Sequence, residues 1–266
     1  MPVLQLSDVA LHYEIAGAGP PVILIAGMAS DSASWGPLVA PLAARFTVIR
    51  PDNRAAGRTL PLDAPVSVAL WAADCAALID HLGLGPAHVM GHSLGGMIGM
   101  QLAQDAPGQV ATLTLLAAAP LWLARNDLLF EVLLRLRAEG MPPDLWLRAF
   151  YPWLFRSAFF DDPGAVDGAV AMALAYPHAQ TAGAMAHQAA ALRLHDPAAV
   201  RVPAELPVLA LLAGDDLLIP QAVAREALAQ VPGAHVAVIE GAGHSLHWDA
   251  PEAVLHAWCG FVEARG

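Results

Sequence analysis

One serine of this chain stands in a setting that can make it reactive. Gly91-His92-Ser93-Leu94-Gly95 is a G-x-S-x-G sequence between the apolar run AHVM (87–90) and the apolar segment GMIGMQLAQ (96–104). A strand that turns at once into a helix forces its turn residue into a strained conformation. Glycines two before and two after are then needed, because side chains there would collide with the neighbouring strand and helix. Such a turn lifts the Ser93 hydroxyl above the sheet edge. The Leu94 amide, at the helix N-terminus, points to the same place and can donate to an oxyanion with the helix dipole behind it.

A serine hydroxyl is a poor nucleophile at neutral pH, so it needs a general base within hydrogen-bond reach and an acid to orient that base. The end of the sequence offers both. Gly241-Ala242-Gly243-His244 follows the last apolar strand and precedes a helix opening at Pro251, which places His244 at the same strand-end edge as Ser93. His247 is its competitor, read as a loop or helix-start histidine. A zinc pair made by His244 and His247 lacks a nearby third ligand. For the acid, Ala213-Gly214-Asp215-Asp216 closes the preceding strand. Either aspartate could orient the base. Asp216, four before Pro220, is preferred, with Asp215 capping the turn.

These residues require a scaffold that brings strand ends together. Short apolar runs alternate with longer amphipathic segments, the pattern of an α/β fold with a mostly parallel sheet covered by helices. Strands are expected at 11–17, 22–27, 46–52, 87–91, 110–118, 208–214 and 234–241. Helices are expected at 35–44, 67–82, 94–105, 221–230 and 251–263. Between about Pro120 and Val202 the alternation stops. That stretch reads as several helices separated at Met141-Pro142-Pro143, Asp162-Pro163-Gly164 and Tyr176-Pro177, and it concentrates the aromatics, including Trp122, Phe130, Trp146, Phe150, Tyr151, Trp153, Phe155 and Phe159. It is expected to be a cap whose apolar underside covers a substrate pocket. His178, His187 and His195, all within it, are each weighed as substrate contacts.

The elbow, the acid turn and the histidine loop together resemble the α/β-hydrolase fold superfamily, in the group of carboxylesterases, lactonases and cofactor-free perhydrolases. The chain order Ser, Asp, His matches. The resemblance implies a doubly wound, mostly parallel sheet of about eight strands with a helical cap inserted after strand six: a core of residues 1–119 and 203–266, and a cap of residues 120–202. It also implies a second oxyanion amide, at Met28 in Ile25-Ala26-Gly27-Met28, where Ala26 stands in place of the group's usual histidine. Asp52-Asn53-Arg54-Ala55-Ala56-Gly57-Arg58-Thr59 is similar to the group's D-x-R-G-x-G-x-S loop, which is structural, so Asp52 and Arg54 are expected to pin loops near the site. Relatives that open epoxides or displace halide use a carboxylate at the elbow, and Ser93 argues against both.

Composition limits the alternatives. The chain has 266 residues, of which 57% are hydrophobic and 14% charged, and a net charge of −11. Its basic residues are all arginines and form no run, which argues against nucleic acid and anionic membrane surfaces. The longest uncharged apolar stretch, Val110 to Ala124, is short of the ~20 residues of a membrane span and contains Pro120. The N-terminal MPVLQLSDVALHYEIAG lacks a basic start and a long apolar centre, so a cytoplasmic protein is expected. Cys75 and Cys259 read as helix packing residues. Gly17-Ala18-Gly19-Pro20-Pro21 leads into a strand and not a helix, so it is not a dinucleotide loop. The expectation is a serine hydrolase, monomeric or homodimeric and without cofactor or metal, that cleaves a small to medium, largely apolar carboxylic ester or lactone. The alternatives are a cofactor-free lyase, oxygenase or acyltransferase using the same residues, and a non-catalytic ligand receptor of the same fold.

Overall fold

A computed structural model describes residues 2–265. Eight strands form one sheet in the order β1-β2-β4-β3-β5-β6-β7-β8. They are β1 (Val3–Gln5), β2 (Ala10–Ala16), β3 (Pro21–Ile25), β4 (Thr47–Pro51), β5 (Ala87–His92), β6 (Val110–Leu116), β7 (Val208–Ala213) and β8 (His235–Ile239). β1 pairs antiparallel with β2, and β2 antiparallel with β4; every other pairing is parallel. The fold is that of an α/β hydrolase, with helices on both faces of the sheet. None of the described helices is long and apolar enough to cross a membrane.

The central strands are apolar throughout because each is buried on both faces, and alternate side chains divide between two cores. Ile23, Ile25, Val89, Leu113 and Leu115 point to the side covered by α2 (Val68–Leu82) and α3 (Leu94–Asp105). Val22, Leu24, Val48, Met90 and Leu116 point to the side covered by α1 (Gly36–Ala43) and, across residues 251–263, the C-terminal helix with Trp258. Local chemistry sets the helix ends. Ser67 accepts a hydrogen bond from the Leu70 amide at the start of α2, and Gly83 closes that helix at φ 62°, where a Cβ would be strained.

Strand β1 was not among the strands expected from sequence. Its three residues are too few to show a periodicity, and it exists through pairing with β2, Val3 opposite His12 and Gln5 opposite Ala10. Strand β6 ends two residues sooner than expected because Ala117 takes φ 47°. Between β6 and β7 run α4 (Ala124–Ala138), α5 (Pro143–Phe150), α6 (Pro163–Ala175) and α7 (Ala182–Arg193), with breaks at the prolines noted above. α8 (Gln221–Leu228), the short α9 (Leu246–Asp249) and α10 (Pro251–Glu263) complete the chain. Both cysteines are free; Cys75 is buried in α2 and Cys259 half-buried in α10.

The loop after β4 is tied by charge and hydrogen bonds to both sides of the site. Asp52 Oδ1 accepts from the Ser32 amide, its Oδ2 accepts from the Arg58 amide and Nε, and Asn53 Nδ2 donates to the Ala26 carbonyl. Buried Arg54 grips Asp74 through two bonds, of 2.6 and 2.8 Å, and Asp8 through two more. Arg54→Leu should therefore cost about 3–5 kcal/mol, because Asp74 would be left buried without a counter-charge. Burial already pushes the Asp74 carboxyl up from its ordinary range. A charge that is unpaired in the folded state is relieved by protonation, so the deficit should shrink as pH falls from 8 to 5. Urea unfolding at the two pH values measures it; equal midpoints for variant and wild type at both would show that the pair adds nothing.

Candidate active site

Ser93 sits between β5 and α3 with φ 52° and ψ −115°, a conformation that side chains other than glycine seldom adopt. The glycines around it are required by contact. A Cβ at Gly91 would fall 2.1 Å from the Gly95 carbonyl oxygen, and one at Gly95 would fall 1.9 Å from that of Ile25. Gly95→Ala should thus destabilise the fold by about 3 kcal/mol or more, since the obstacle is backbone and cannot move aside. Thermal unfolding reads this directly, and a wild-type midpoint would contradict the packing described. The strained turn is held by a hydrogen bond from the Ser93 amide to the Leu116 carbonyl and another from the Gly96 amide to the Ser93 carbonyl.

The loops after β7 and β8 bring Asp216 and His244 together. His244 Nδ1 lies 2.9 Å from Asp216 Oδ2 and 3.1 Å from Oδ1, and both residues are buried. Asp216 Oδ1 also accepts from the Leu218 and Ile219 amides, each at 2.8 Å. Burial alone would raise this carboxyl, but the charge of His244, its hydrogen bond and the two amides outweigh burial and hold it below the ordinary aspartate range. Of the two candidate acids, only Asp216 reaches the histidine. Asp215 is exposed, and its amide donates to the Ala242 carbonyl at the turn.

His92, the residue before Ser93, joins the two loops: its Nε2 lies 3.0 Å from the His244 carbonyl oxygen. A carbonyl can only accept, so this nitrogen carries the proton. Burial, with His244 beside it, pushes the His92 imidazole down to about 3, and His92 is neutral. His247 is also buried and held well below the ordinary histidine range. It packs between Trp35 and His92 and, among the described residues, pairs with no acid, which sets it apart from His244. Neither Ser93 Oγ nor His244 Nε2 makes a hydrogen bond among the described residues, so both atoms remain available to a reacting molecule. Among those residues no group of three or more His, Cys, Asp or Glu is arranged to hold a metal.

Met28, Ser93 and Leu94 line one cavity of about 50 Å³, together with Met97, Trp122 and Phe130. Gly27 permits this approach; a Cβ there would lie 3.0 Å from His92 Nδ1 and 3.4 Å from Ser93 Cβ. The two amides expected to face an oxyanion therefore belong to residues of the same cavity as the serine. Of the three histidines between β6 and β7, His178 lines a second, larger cleft. His187 Nε2 meets the Ala64 carbonyl, and His195 lines neither cavity.

Sequence reasoning did not find Asp249. Its Oδ2 accepts from the Gly243 amide at 2.8 Å and the Arg156 amide at 2.9 Å, tying the histidine loop to the segment between α5 and α6. The Ser245 amide donates to the Leu154 carbonyl beside it, and a Cβ at Gly243 would fall 2.7 Å from the Arg156 nitrogen. Nothing in the spacing of an aspartate before Pro251 announces a contact with residues ninety positions earlier.

A strained serine elbow after the central strand β5, with an acid after β7 and a histidine after β8, defines the α/β-hydrolase class. The chain belongs to the alpha/beta hydrolase family, whose model matches residues 22–257. It is an α/β-fold hydrolase. It is 32% identical to a protein of Azorhizobium caulinodans named "Putative carbamate hydrolase RutD", over 99% of this chain and 100% of that one. The crystal structure of a Mycobacterium tuberculosis H37Rv protein named "Putative non-heme bromoperoxidase BpoC" superposes with a TM-score of 0.82 at 29% identity, covering 96% of each chain. The enol-lactonase from Burkholderia xenovorans LB400 shares the fold, with a TM-score of 0.86 at 21% identity, over 98% of this chain and 100% of that one.

Proposed function

We propose that this hydrolase cleaves a small to medium, largely apolar carboxylic ester or lactone through an acyl-serine intermediate. The observation that carries the proposal is the buried His244–Asp216 pair, on a loop bonded to His92, the residue that precedes the strained Ser93. In the reaction, Ser93 Oγ bonds to the carbonyl carbon while its proton passes to His244 Nε2. The Met28 and Leu94 amides hold the oxyanion, and the tetrahedral species expels the alkoxide, which takes the proton from His244. Water then gives its proton to the same imidazole, attacks the acyl carbon and releases the acid and Ser93. Asp216 keeps Nδ1 protonated throughout, so that Nε2 is the basic nitrogen. Helices α4 to α7 serve as the cap, with Trp122 and Phe130 on its side of the small cavity.

A carbamate offers the same attack on a carbonyl carbon, and one relative carries that activity in its name. The proposal is tested with p-nitrophenyl esters of increasing acyl length, simple lactones and an aryl carbamate, with products identified by mass. Ester or lactone turnover supports it and sizes the acyl pocket. Turnover of the carbamate alone would keep the serine chemistry and change the substrate, and no turnover of any member would overturn the proposal.

A further inference from the structure

The second cavity is a cleft of about 780 Å³, within the range of roughly 300–1,000 Å³ typical of small-molecule sites. Ala29 to Ser34 bound one side and helices α5 and α6 the other. Ser93 is not among its lining residues. Its walls are apolar, with Trp146, Tyr151, Phe155 and Phe159, while Met172 and Trp248 at the rim are 64% and 44% exposed. Apolar side chains so exposed beside an open cleft suit an apolar occupant.

Two polar groups in this wall lack partners of their own kind. Arg137, half-buried, lies over the Trp146 ring at 4.8 Å. Its guanidinium donates to the Gln180 carbonyl and meets Met185 Sδ at 3.7 Å, and no carboxylate pairs with it among the described residues. Burial works against its charge. Arg50, Arg54 and Arg58, the other arginines held in the fold, each have a carboxylate within 3 Å. Gln180 is 9% exposed; its Nε2 donates to the Ala55 carbonyl at 2.6 Å, which fixes the amide orientation and leaves Oε1 buried without a donor. The cleft also contains Asp31, but both of its oxygens are taken, one by the Ala33 amide and the other by the Tyr176 hydroxyl. An unpaired cation and an orphan acceptor withdrawn from water are both unfavourable until a ligand supplies an anion and a donor.

We infer that this cleft binds a small apolar carboxylate bearing a hydroxyl or N–H close to its acid group. The acid meets Arg137, the donor meets Gln180 Oε1, and the apolar body lies against Trp146, Phe155 and Phe159. That this ligand is part of the substrate, reaching Ser93 past Met28 and Ala29, rests on the function proposed above; the binding itself does not.

The test uses Ser93→Ala protein, in which the proposed turnover is removed, and calorimetric titration at neutral pH with octan-1-ol, octanoate and 2-hydroxyoctanoate. Octanoate should bind roughly ten- to a hundredfold more tightly than octan-1-ol, the size of effect of a charged hydrogen bond out of bulk water. The hydroxy acid should bind more tightly still. Arg137→Met should abolish the advantage of octanoate, and Gln180→Leu should abolish that of the added hydroxyl. Equal binding of alcohol and acid overturns the inference, as does the absence of binding by either, or an octanoate advantage that survives in a folded Arg137→Met. Should Arg137→Met fail to fold, the ranking of the three probes on the parent protein decides. Ester hydrolysis by the wild type is read separately, so a failed serine mechanism and a failed carboxylate site give different results.

Discussion

Ser93→Ala is expected to lower ester turnover by about 10³- to 10⁶-fold without changing the unfolding midpoint appreciably. The kinetic loss follows from the removal of the proposed nucleophile, the one hydroxyl side chain lining the small cavity with Met28 and Leu94. A residual rate above that in water should remain, because both amides survive the substitution and still stabilise an oxyanion during attack by water. The stability expectation comes from what Ser93 lacks. Its hydroxyl makes no hydrogen bond among the described residues, so its removal strands no partner. Its φ of 52° is one that this chain already accepts for alanine, at Ala29, Ala55 and Ala117. His244→Ala should lose turnover on the same scale. Circular dichroism and thermal unfolding beside the kinetics separate a chemical loss from a folding one; near-normal turnover in folded Ser93→Ala would remove the serine from the mechanism.

Asp216→Asn is expected to lower turnover by about 10³- to 10⁴-fold, and Asp215→Asn to leave it close to wild type. An asparagine at 216 can keep its oxygen on the Leu218 and Ile219 amides, where Asp216 Oδ1 now sits. Its NH₂ would then face His244 Nδ1 and require that nitrogen to accept. The proton moves to Nε2, and the imidazole can no longer take one from Ser93. The fold survives while the base is held in the wrong tautomer. At 215 the side chain is exposed, and the turn is held by the backbone amide, which asparagine retains. The acid side of the stability profile has a definite sign as well. The Asp216 carboxyl is held below its ordinary range, so its contribution is present above the unfolded-state value and is lost only as pH falls through the lower, folded-state one. A larger loss at Asp215 than at Asp216 would reassign the acid.

The parts of this molecule legible in its sequence were those fixed by neighbours along the chain. Gly91 announces a strand-to-helix turn because the collision it avoids, with the Gly95 carbonyl, lies within four residues, whereas the Ile25 carbonyl that Gly95 makes room for arrives only on folding; Pro251 announces the start of α10 because its ring suits a first helical turn. The choice of Asp216 over Asp215 rested on spacing to Pro220, and the geometry adds what spacing could not: one carboxylate is buried on the imidazole and the other exposed. Strand β1 exists by pairing alone. The clamp of Asp249 on Gly243 and Arg156, and the isolation of Arg137 from the carboxylates of the described residues, depend on segments that meet only after folding. An arginine on α4 four residues before Met141 reads as a solvated charge until Trp146 and Gln180 are seen around it.

The proposed attack of Ser93 on carbonyl carbon is tested by labelling with a fluorophosphonate probe followed by mass analysis of the digested protein. One phosphonyl adduct per chain is expected, on the peptide that contains Ser93, with esterase activity lost in step and with slow labelling in Asp216→Asn. A protein that hydrolyses esters yet carries no adduct, or carries it on another residue, would show that Ser93 is not the nucleophile.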